Sequence, residues 1–188
     1  FKPEGTAPVV RAFIENKLYA GVLPAKYYYI VPCFRYERPQ AARQRQFHQL
    51  GVEVLGSSSM QADAEIIQIA MEVLNGLGIN DIMLKINSVG CPKCRGKYKE
   101  LLKDFIRPNL DSYCVDCRSR FEKNPLRIID CKEEKCGELT KDAPRITDYL
   151  CDECAAAFED LKKYLEIMGV PFEVDTSIVR GLDYYTKT

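Results

Sequence analysis

The chain has 188 residues, 46% of them hydrophobic, with 27 basic and 27 acidic side chains and a formal net charge of +0. That is enough apolar material for one sizeable core or two small ones. The balance excludes the global basic field of a protein that coats nucleic acid, so any RNA contact must be local. No apolar run is long enough to span a membrane and no signal peptide precedes the first motif, so a cytoplasmic protein is expected. The chain starts at Phe1 without methionine and ends in a strand-like stretch, as expected of a piece excised from a longer protein.

Lys2-Pro-Glu-Gly-Thr6 reads as a turn punctuated by Pro3 and Gly5. Thr6 is expected to cap a helix over Ala7–Tyr19, with Pro8 in its first turn and Val9, Val10, Phe13, Ile14 and Leu18 at helical spacing. Tyr27–Tyr36 and Phe47–Leu55 are rich in aromatic and β-branched residues and predict two strands. Alternation puts Arg35 and Glu37 on one face of the first, with Phe34 and Tyr36 on the other. On the second, Gln49, Gly51 and Glu53 share a face and Val52 and Val54 take the reverse. Such a hairpin, polar on one side and apolar on the other, is either a solvated edge or the floor of a polar ligand site. The intervening loop carries Arg38, Arg43 and Arg45, groups suited to phosphate, and Pro39 helps to end the first strand.

Gly56-Ser-Ser-Ser59 can cap the next helix, whose stripe runs through Ile66, Ile69, Val73 and Leu77 and stops at Gly78. Asp81–Ser88 alternates as a strand of the same sheet as the hairpin. From Gly90 the composition changes: eight of the nine cysteines lie between Cys91 and Cys154, as Cys91/Cys94, Cys114/Cys117, Cys131/Cys136 and Cys151/Cys154. Three pairs are C-x₂-C and one is C-x₄-C, spacings that let two thiolates reach one tetrahedral ion. Two Cys₄ zinc sites, free buried thiols and a disulfide cage all use this count. The easiest pairing joins Cys114/Cys117 with Cys131/Cys136, leaving Cys91/Cys94 with Cys151/Cys154 to clamp the base of the segment. Short amphipathic helices are expected over Arg95–Ile106 and Cys154–Met168, with an extended run after the turn at Asn124 and another helix after Pro144. Cys33 stands alone in a strand and is expected to be packed. Gly169 closes the last helix, Pro171–Asp175 is a strand candidate, and Arg180, Leu182, Tyr184 and Thr186 would share one face of a final strand bent at Gly181.

FRYERPQ followed by RQRQFHQLGVEVLG resembles motif 2 of the class II aminoacyl-tRNA synthetases, in the form used by histidyl-tRNA synthetases. KPEGTAPVVRA at Lys2–Ala12 and VRGLDYYTKT at Val179–Thr188 are similar to two further blocks of that family, in its order. The resemblance implies an α+β fold: an antiparallel sheet flanked by helices, with a mainly helical, cysteine-rich insertion domain. The expected organisation is a first catalytic segment at 1–89, an insertion at 90–168 that reaches toward the tRNA acceptor stem, and a second catalytic segment at 169–188.

The same resemblance implies two-step chemistry, in which histidine is activated with ATP and magnesium to histidyl-adenylate and then moved to the 3′ end of tRNA(His). It assigns Glu4, Thr6 and Gln49 to the ammonium and carboxylate of histidine, Glu53 and Tyr185 to the two imidazole nitrogens, and Tyr184 to the pocket wall. It assigns Arg35 and Arg180 to the α-phosphate and, with Glu37 and Arg43, to ATP. Many members of the family lack most of these cysteines, so the metal reading of Cys91, Cys94, Cys114, Cys117, Cys131, Cys136, Cys151 and Cys154 implies a structural extra. The full-length protein is expected to be a homodimer, with its dimer-building motif before Phe1 and further ATP-binding and anticodon-binding parts after Thr188. Two other functions compete. One is a synthetase-like regulatory subunit of an ATP phosphoribosyltransferase, which binds histidine without activating it. The other is a zinc-dependent RNA-binding module, which leaves the PEGT and RGLDYY blocks unexplained.

Overall fold

The computed structural model describes residues 1–38, 40–180 and 184–188, so Pro39 and the Gly181–Asp183 part of the expected last strand, Leu182 included, lie outside the described residues. The chain forms two compact units, Phe1–Ala62 and Asp63–Thr188.

In the first unit, α1 (Thr6–Glu15) begins at the PEGT turn. Thr6 does not cap it. The Glu4 carboxylate accepts from the backbone N–H groups of Thr6 (2.6 Å) and Ala7 (3.0 Å), placing an anion at the positive helix end. The helix stops short of Tyr19 because Asn16 Nδ2 returns to the Ala12 carbonyl at 2.9 Å and Lys17 turns left-handed (φ 53°); Leu18–Ala20 is a separate 3₁₀ turn. Strands β1 (Ala25–Phe34) and β2 (Gln46–Leu55) pair antiparallel, with Tyr27 opposite Glu53, Tyr29 opposite Gly51 and Val31 opposite Gln49. The first strand thus begins and ends two residues earlier than expected, and Arg35 and Glu37 lie beyond it. The polar face proves to be the better covered one. Tyr27, Tyr29, Val31 and Cys33 share it with Gln49, Gly51 and Glu53, and all are at least partly buried, whereas Tyr28 (77%), Ile30 (68%) and Leu50 (50%) on the reverse are exposed. The Gly5–Thr6 turn, which lands on the polar side at Tyr29 and Glu53, is the cause.

The second unit takes in most of α2 (Met60–Gly76), a helix whose first turn is preceded by Ser59 Oγ accepting from Gln61 N–H at 3.2 Å. Gly78, with φ +82°, closes its C-terminal end, and Ile79 N–H returns to the Leu74 carbonyl. Of the expected strand 81–88 only β3 (Lys85–Ile86) forms. Its partner is not the hairpin but β4 (Glu173–Val174), which runs parallel to it and uses the Leu84 and Ile86 carbonyls for Glu173 and Asp175 N–H. Between them lie α3 (Pro92–Ile106), α4 (Val115–Lys123), α5 (Glu134–Thr140) and α6 (Asp152–Ile167). Pro125–Ile128, expected to be extended, is a 3₁₀ turn, and Ile146–Tyr149 after Pro144 is another. Tyr98, Leu102, Ile106, Tyr113, Phe121, Leu126 and Ile128 form the core here together with Cys117 and Cys136. Gly169 (φ +67°) closes α6 through Val170 N–H to the Leu165 carbonyl. No final strand forms among the described residues; Lys187 makes an isolated bridge to Gly90 instead. No helix among the described residues is long and apolar enough to cross a membrane.

The β3–β4 junction has a titratable clasp. Asp175 accepts from Ser177 Oγ (2.5 Å), Ser177 N–H (3.0 Å) and Lys85 Nζ (3.1 Å), and these bonds, Ser177 first, hold its carboxyl down at about 2. A depressed carboxylate contributes stability above its unfolded value and loses it as pH falls from about 4 through about 2. Lys85 is exposed and Asp175 only partly covered, so solvent screens the clasp and its effect is small, under about 1 kcal/mol. Asp175→Asn should remove that acid-limb dependence in urea titrations run at successive pH values, leaving stability at pH 7 lowered by a similar amount.

Candidate functional site

The polar face of the hairpin is organised by one tyrosine. Tyr29 OH donates to Glu53 Oε1 at 3.2 Å, and Thr6 Oγ1 donates to the same oxygen at 2.7 Å. Thr6 Oγ1 and Tyr29 OH are themselves 3.5 Å apart. Gly5 and Gly51 make room for the ring, and a Cβ on either would overlap it. Burial raises the Tyr29 phenol; the Thr6 hydrogen bond opposes this and the Glu53 charge reinforces it. The phenol therefore stays a neutral donor toward the carboxylate. Gln49, two residues along from Gly51, accepts from Cys33 Sγ at 3.3 Å, and Cys33 is fully buried. Sequence reasoning missed Tyr29, although its place opposite the only glycine of β2 could have marked it.

Arg35 leaves the strand with Nε donating to the Pro3 carbonyl at 2.9 Å and its guanidinium 5.0 Å from the centre of the Phe47 ring. This fixes the guanidinium plane beside the PEGT turn. Arg43 Nε lies 3.4 Å from Glu37 Oε2, and Arg45 donates to the Glu37 carbonyl while stacking over Tyr36. The loop cations are thus held by one acidic residue and one aromatic ring, in the open.

In the second unit Tyr184 and Tyr185 stack on each other, ring centres 4.5 Å apart and hydroxyls 3.4 Å apart, rather than pointing to opposite sides. The Arg180 guanidinium lies 5.3 Å from the Tyr185 ring centre, and both line a pocket with Ile67, Leu84, Asn87 and Ile178. Arg95, 6% exposed, donates to the Tyr185 carbonyl.

The eight paired cysteines gather into two quartets, Cys91/Cys94/Cys151/Cys154 and Cys114/Cys117/Cys131/Cys136, and within each the four sulfurs lie within 4.8 Å of one another. All nine cysteines are free. The Sγ separations include 3.6 Å for Cys91–Cys94, 4.0 Å for Cys91–Cys151 and 3.9 Å for Cys114–Cys131. Four thiolates around one zinc ion lie about 3.8 Å apart, the edge of a tetrahedron with Zn–S bonds of about 2.3 Å. Backbone N–H groups point at the sulfurs as well: Cys151 at Cys94 (3.1 Å), Cys114 at Cys136 (3.3 Å) and Cys117 at Cys114 (3.4 Å). The Cys94 N–H pulls the Cys91 thiol down to about 6, while burial pushes Cys154 up to about 12 and raises Cys117 and Cys136. Such an array holds its charge only against a cation, and its donor set and dimensions fit zinc.

The family model for histidyl-tRNA synthetase matches residues 1–93. A histidine–tRNA ligase of Caldanaerobacter subterraneus is 59% identical over 187 residues, which is 100% of this chain and 45% of that protein. The chain belongs to the histidyl-tRNA synthetase family. It spans less than half the length of the curated relatives it matches. The apo histidyl-tRNA synthetase of S. aureus superposes with a TM-score of 0.73 at 40% identity, over 98% of this chain and 43% of that one. A Bacillus halodurans protein described as an ATP phosphoribosyltransferase regulatory subunit/histidyl-tRNA synthetase shares the fold, with a TM-score of 0.63 at 21% identity over 98% of this chain and 51% of that one.

In this member of the histidyl-tRNA synthetase family, the residues singled out by sequence fall into two local groups. Glu4, Thr6, Gln49 and Glu53 belong to the hairpin unit, where Arg35, Glu37 and Arg43 follow on from the first strand. Arg180, Tyr184 and Tyr185 belong to the second unit, where they meet in sequence and in space.

Proposed function

We propose that this chain carries the histidine pocket and part of the ATP site of a histidine–tRNA ligase, active in the cytoplasm as a homodimer of the full-length protein. The reading takes 1–89 and 169–188 as two catalytic segments and 90–168 as an insertion directed at tRNA(His). Family membership supports it. The observation that carries it is the Glu53 carboxylate, held by Thr6 and Tyr29 on the covered side of the hairpin beside the Glu4 turn.

In this reading the carboxylate of histidine attacks the α-phosphorus of ATP, and the bond from phosphorus to the pyrophosphate oxygen breaks. The nucleophile is already an anion, so positioning and charge neutralisation supply the catalysis. Arg35 and Arg180 hold the α-phosphate, and Arg43 and Glu37 serve the rest of the nucleotide. Magnesium, when bound with ATP, adds positive charge at the phosphates. Glu4, Thr6 and Gln49 hold the α-amino and carboxylate groups. Glu53 and Tyr185 bond the two imidazole nitrogens, with Tyr184 as wall. A buried imidazole nitrogen left unpaired costs about 1–3 kcal/mol, which is the source of selectivity. The cysteine quartets are structural zinc centres with no step in the reaction. Arg35, Glu37, Arg43 and Gln49 are all present, as an ATP-using site requires and a regulatory histidine sensor does not.

Glu53→Gln in the full-length protein keeps an oxygen for Thr6 and Tyr29 but removes the charge. Histidine-dependent ATP–pyrophosphate exchange should show KM for histidine raised ~10–100-fold, the worth of a charge-assisted hydrogen bond, with KM for ATP nearly unchanged. Equal losses for both ligands would sink the Glu53 assignment, and absence of exchange in the unaltered protein would sink the ligase reading.

A further inference from the structure

The quartet Cys91/Cys94/Cys151/Cys154 touches more than the region it closes. Helices α3 and α6 each start on the residue after the first cysteine of a pair, so one ion on these sulfurs would clamp two helix N-termini together. The residues next to those cysteines hold the Tyr185–Lys187 backbone. Gly90, left-handed at φ +60° and pressed against the Cys94 Cβ, accepts from Lys187 N–H at 3.1 Å. The Lys187 carbonyl accepts from Val89 N–H at 2.7 Å and Ser88 Oγ at 2.8 Å. Lys187 Nζ pairs at 3.1 Å with Glu153, which lies between the two cysteines of the second pair. Arg95, directly after Cys94, donates to the Tyr185 carbonyl. Among the described residues the other quartet makes none of these contacts; Cys117 and Cys136 belong to the core of α3, α4 and α5.

We propose that a zinc ion on Cys91, Cys94, Cys151 and Cys154 is a positioning centre for residues 184–187, acting through Gly90, Arg95 and Glu153, while the second quartet serves only its own core. Four bonds to one ion remove the freedom of two chain segments at once, and the hydrogen bonds pass that fixed geometry to the tyrosine pair. This rests on the reading of Tyr184 and Tyr185 as histidine contacts for its kinetic arm alone.

The test uses the full-length protein with Cys151→Ser, Cys151→His and Cys131→Ser, reading zinc by elemental analysis and amide exchange by mass spectrometry. Zinc should fall from about two ions per chain to about one in both serine variants. Cys151→Ser should speed exchange at Val89 and Lys187 by ~10-fold or more and raise KM for histidine ~10-fold. Cys151→His, which keeps four ligands, should restore both. Cys131→Ser should expose α4 and α5 while Val89 and Lys187 stay protected. Should Cys151→Ser not fold, stepwise chelation of the unaltered protein reads the same amides, whose protection should return with added zinc. No bound zinc, unchanged exchange in Cys151→Ser, or equal deprotection in Cys131→Ser overturns the proposal. Faster exchange with an unchanged KM upholds the positioning centre and removes the tyrosines from the histidine site.

Discussion

Gly51→Ala should cost the full-length protein most of its histidine activation and destabilise it by about 1–3 kcal/mol, the usual cost of forcing extra volume into a packed site. A methyl group there overlaps the Tyr29 ring, which also lies too close to Gly5 for a side chain there. The ring cannot slide along the sheet without breaking its bond to Glu53. Either the ring or the Gly5–Thr6 turn must move, and the turn carries Thr6, the other donor to Glu53. Urea unfolding and ATP–pyrophosphate exchange should fall together. Combining Gly51→Ala with Tyr29→Ala relieves the overlap, so the pair should be less destabilised than the sum of the single changes, without recovery of activity. Additive stability losses would mean that the ring is not what the glycine accommodates.

Replacing Cys117 and Cys136 together by serine should melt α4 and α5, at a cost of about 4 kcal/mol or more, and release about one zinc ion per chain. Both cysteines are buried among Tyr113, Phe121 and Ile128. Helices of nine and seven residues do not persist alone, and the packing holding them depends on these sulfurs. Far-UV circular dichroism should lose helical signal, and limited proteolysis should cut between Cys114 and Thr140. Cys33→Ser is the matched control. That thiol is as buried but stands outside both quartets, so only a local polar-for-apolar loss of about 1 kcal/mol is expected. A double variant as helical and as heat-resistant as the unaltered protein would show that apolar packing alone sustains the region.

Much of this was legible in the chain. The hairpin announces itself because both ten-residue strands are rich in aromatic and β-branched residues, a run long enough to outweigh local turn signals. The cysteine spacing marked the four pairs because C-x₂-C geometry is local, but which pairs meet is long-range, and the structure brings together the easiest match. What sequence could not supply was what lands on what. Alternation shows that Gln49, Gly51 and Glu53 share a face, but only the fold brings the Gly5–Thr6 turn onto it and leaves Ile30 and Leu50 bare. Thr6 is the better capping residue by preference, yet Glu4 reaches the helix end and Thr6 is drawn to Glu53 from 47 residues away. The run after Asn124 carries two isoleucines but is too short to propagate as a strand, and it winds into a 3₁₀ turn whose Leu126 and Ile128 join the core.

The parallel pairing of Lys85 with Glu173 and Ile86 with Val174 gives the excursion between them adjacent points of departure and return. Because its ends are already joined by backbone hydrogen bonds, lengthening or pruning the intervening chain changes the closure entropy only logarithmically. The chain thus leaves and re-enters at one doorway, and the length of the excursion is limited by its own contacts rather than by the pairing of its ends. Lengthening an exposed loop of that excursion leaves the doorway at Leu84–Ile86 and Glu173–Asp175 as it is, whereas a change at Gly90, Arg95 or Glu153 reaches Tyr185 and Lys187.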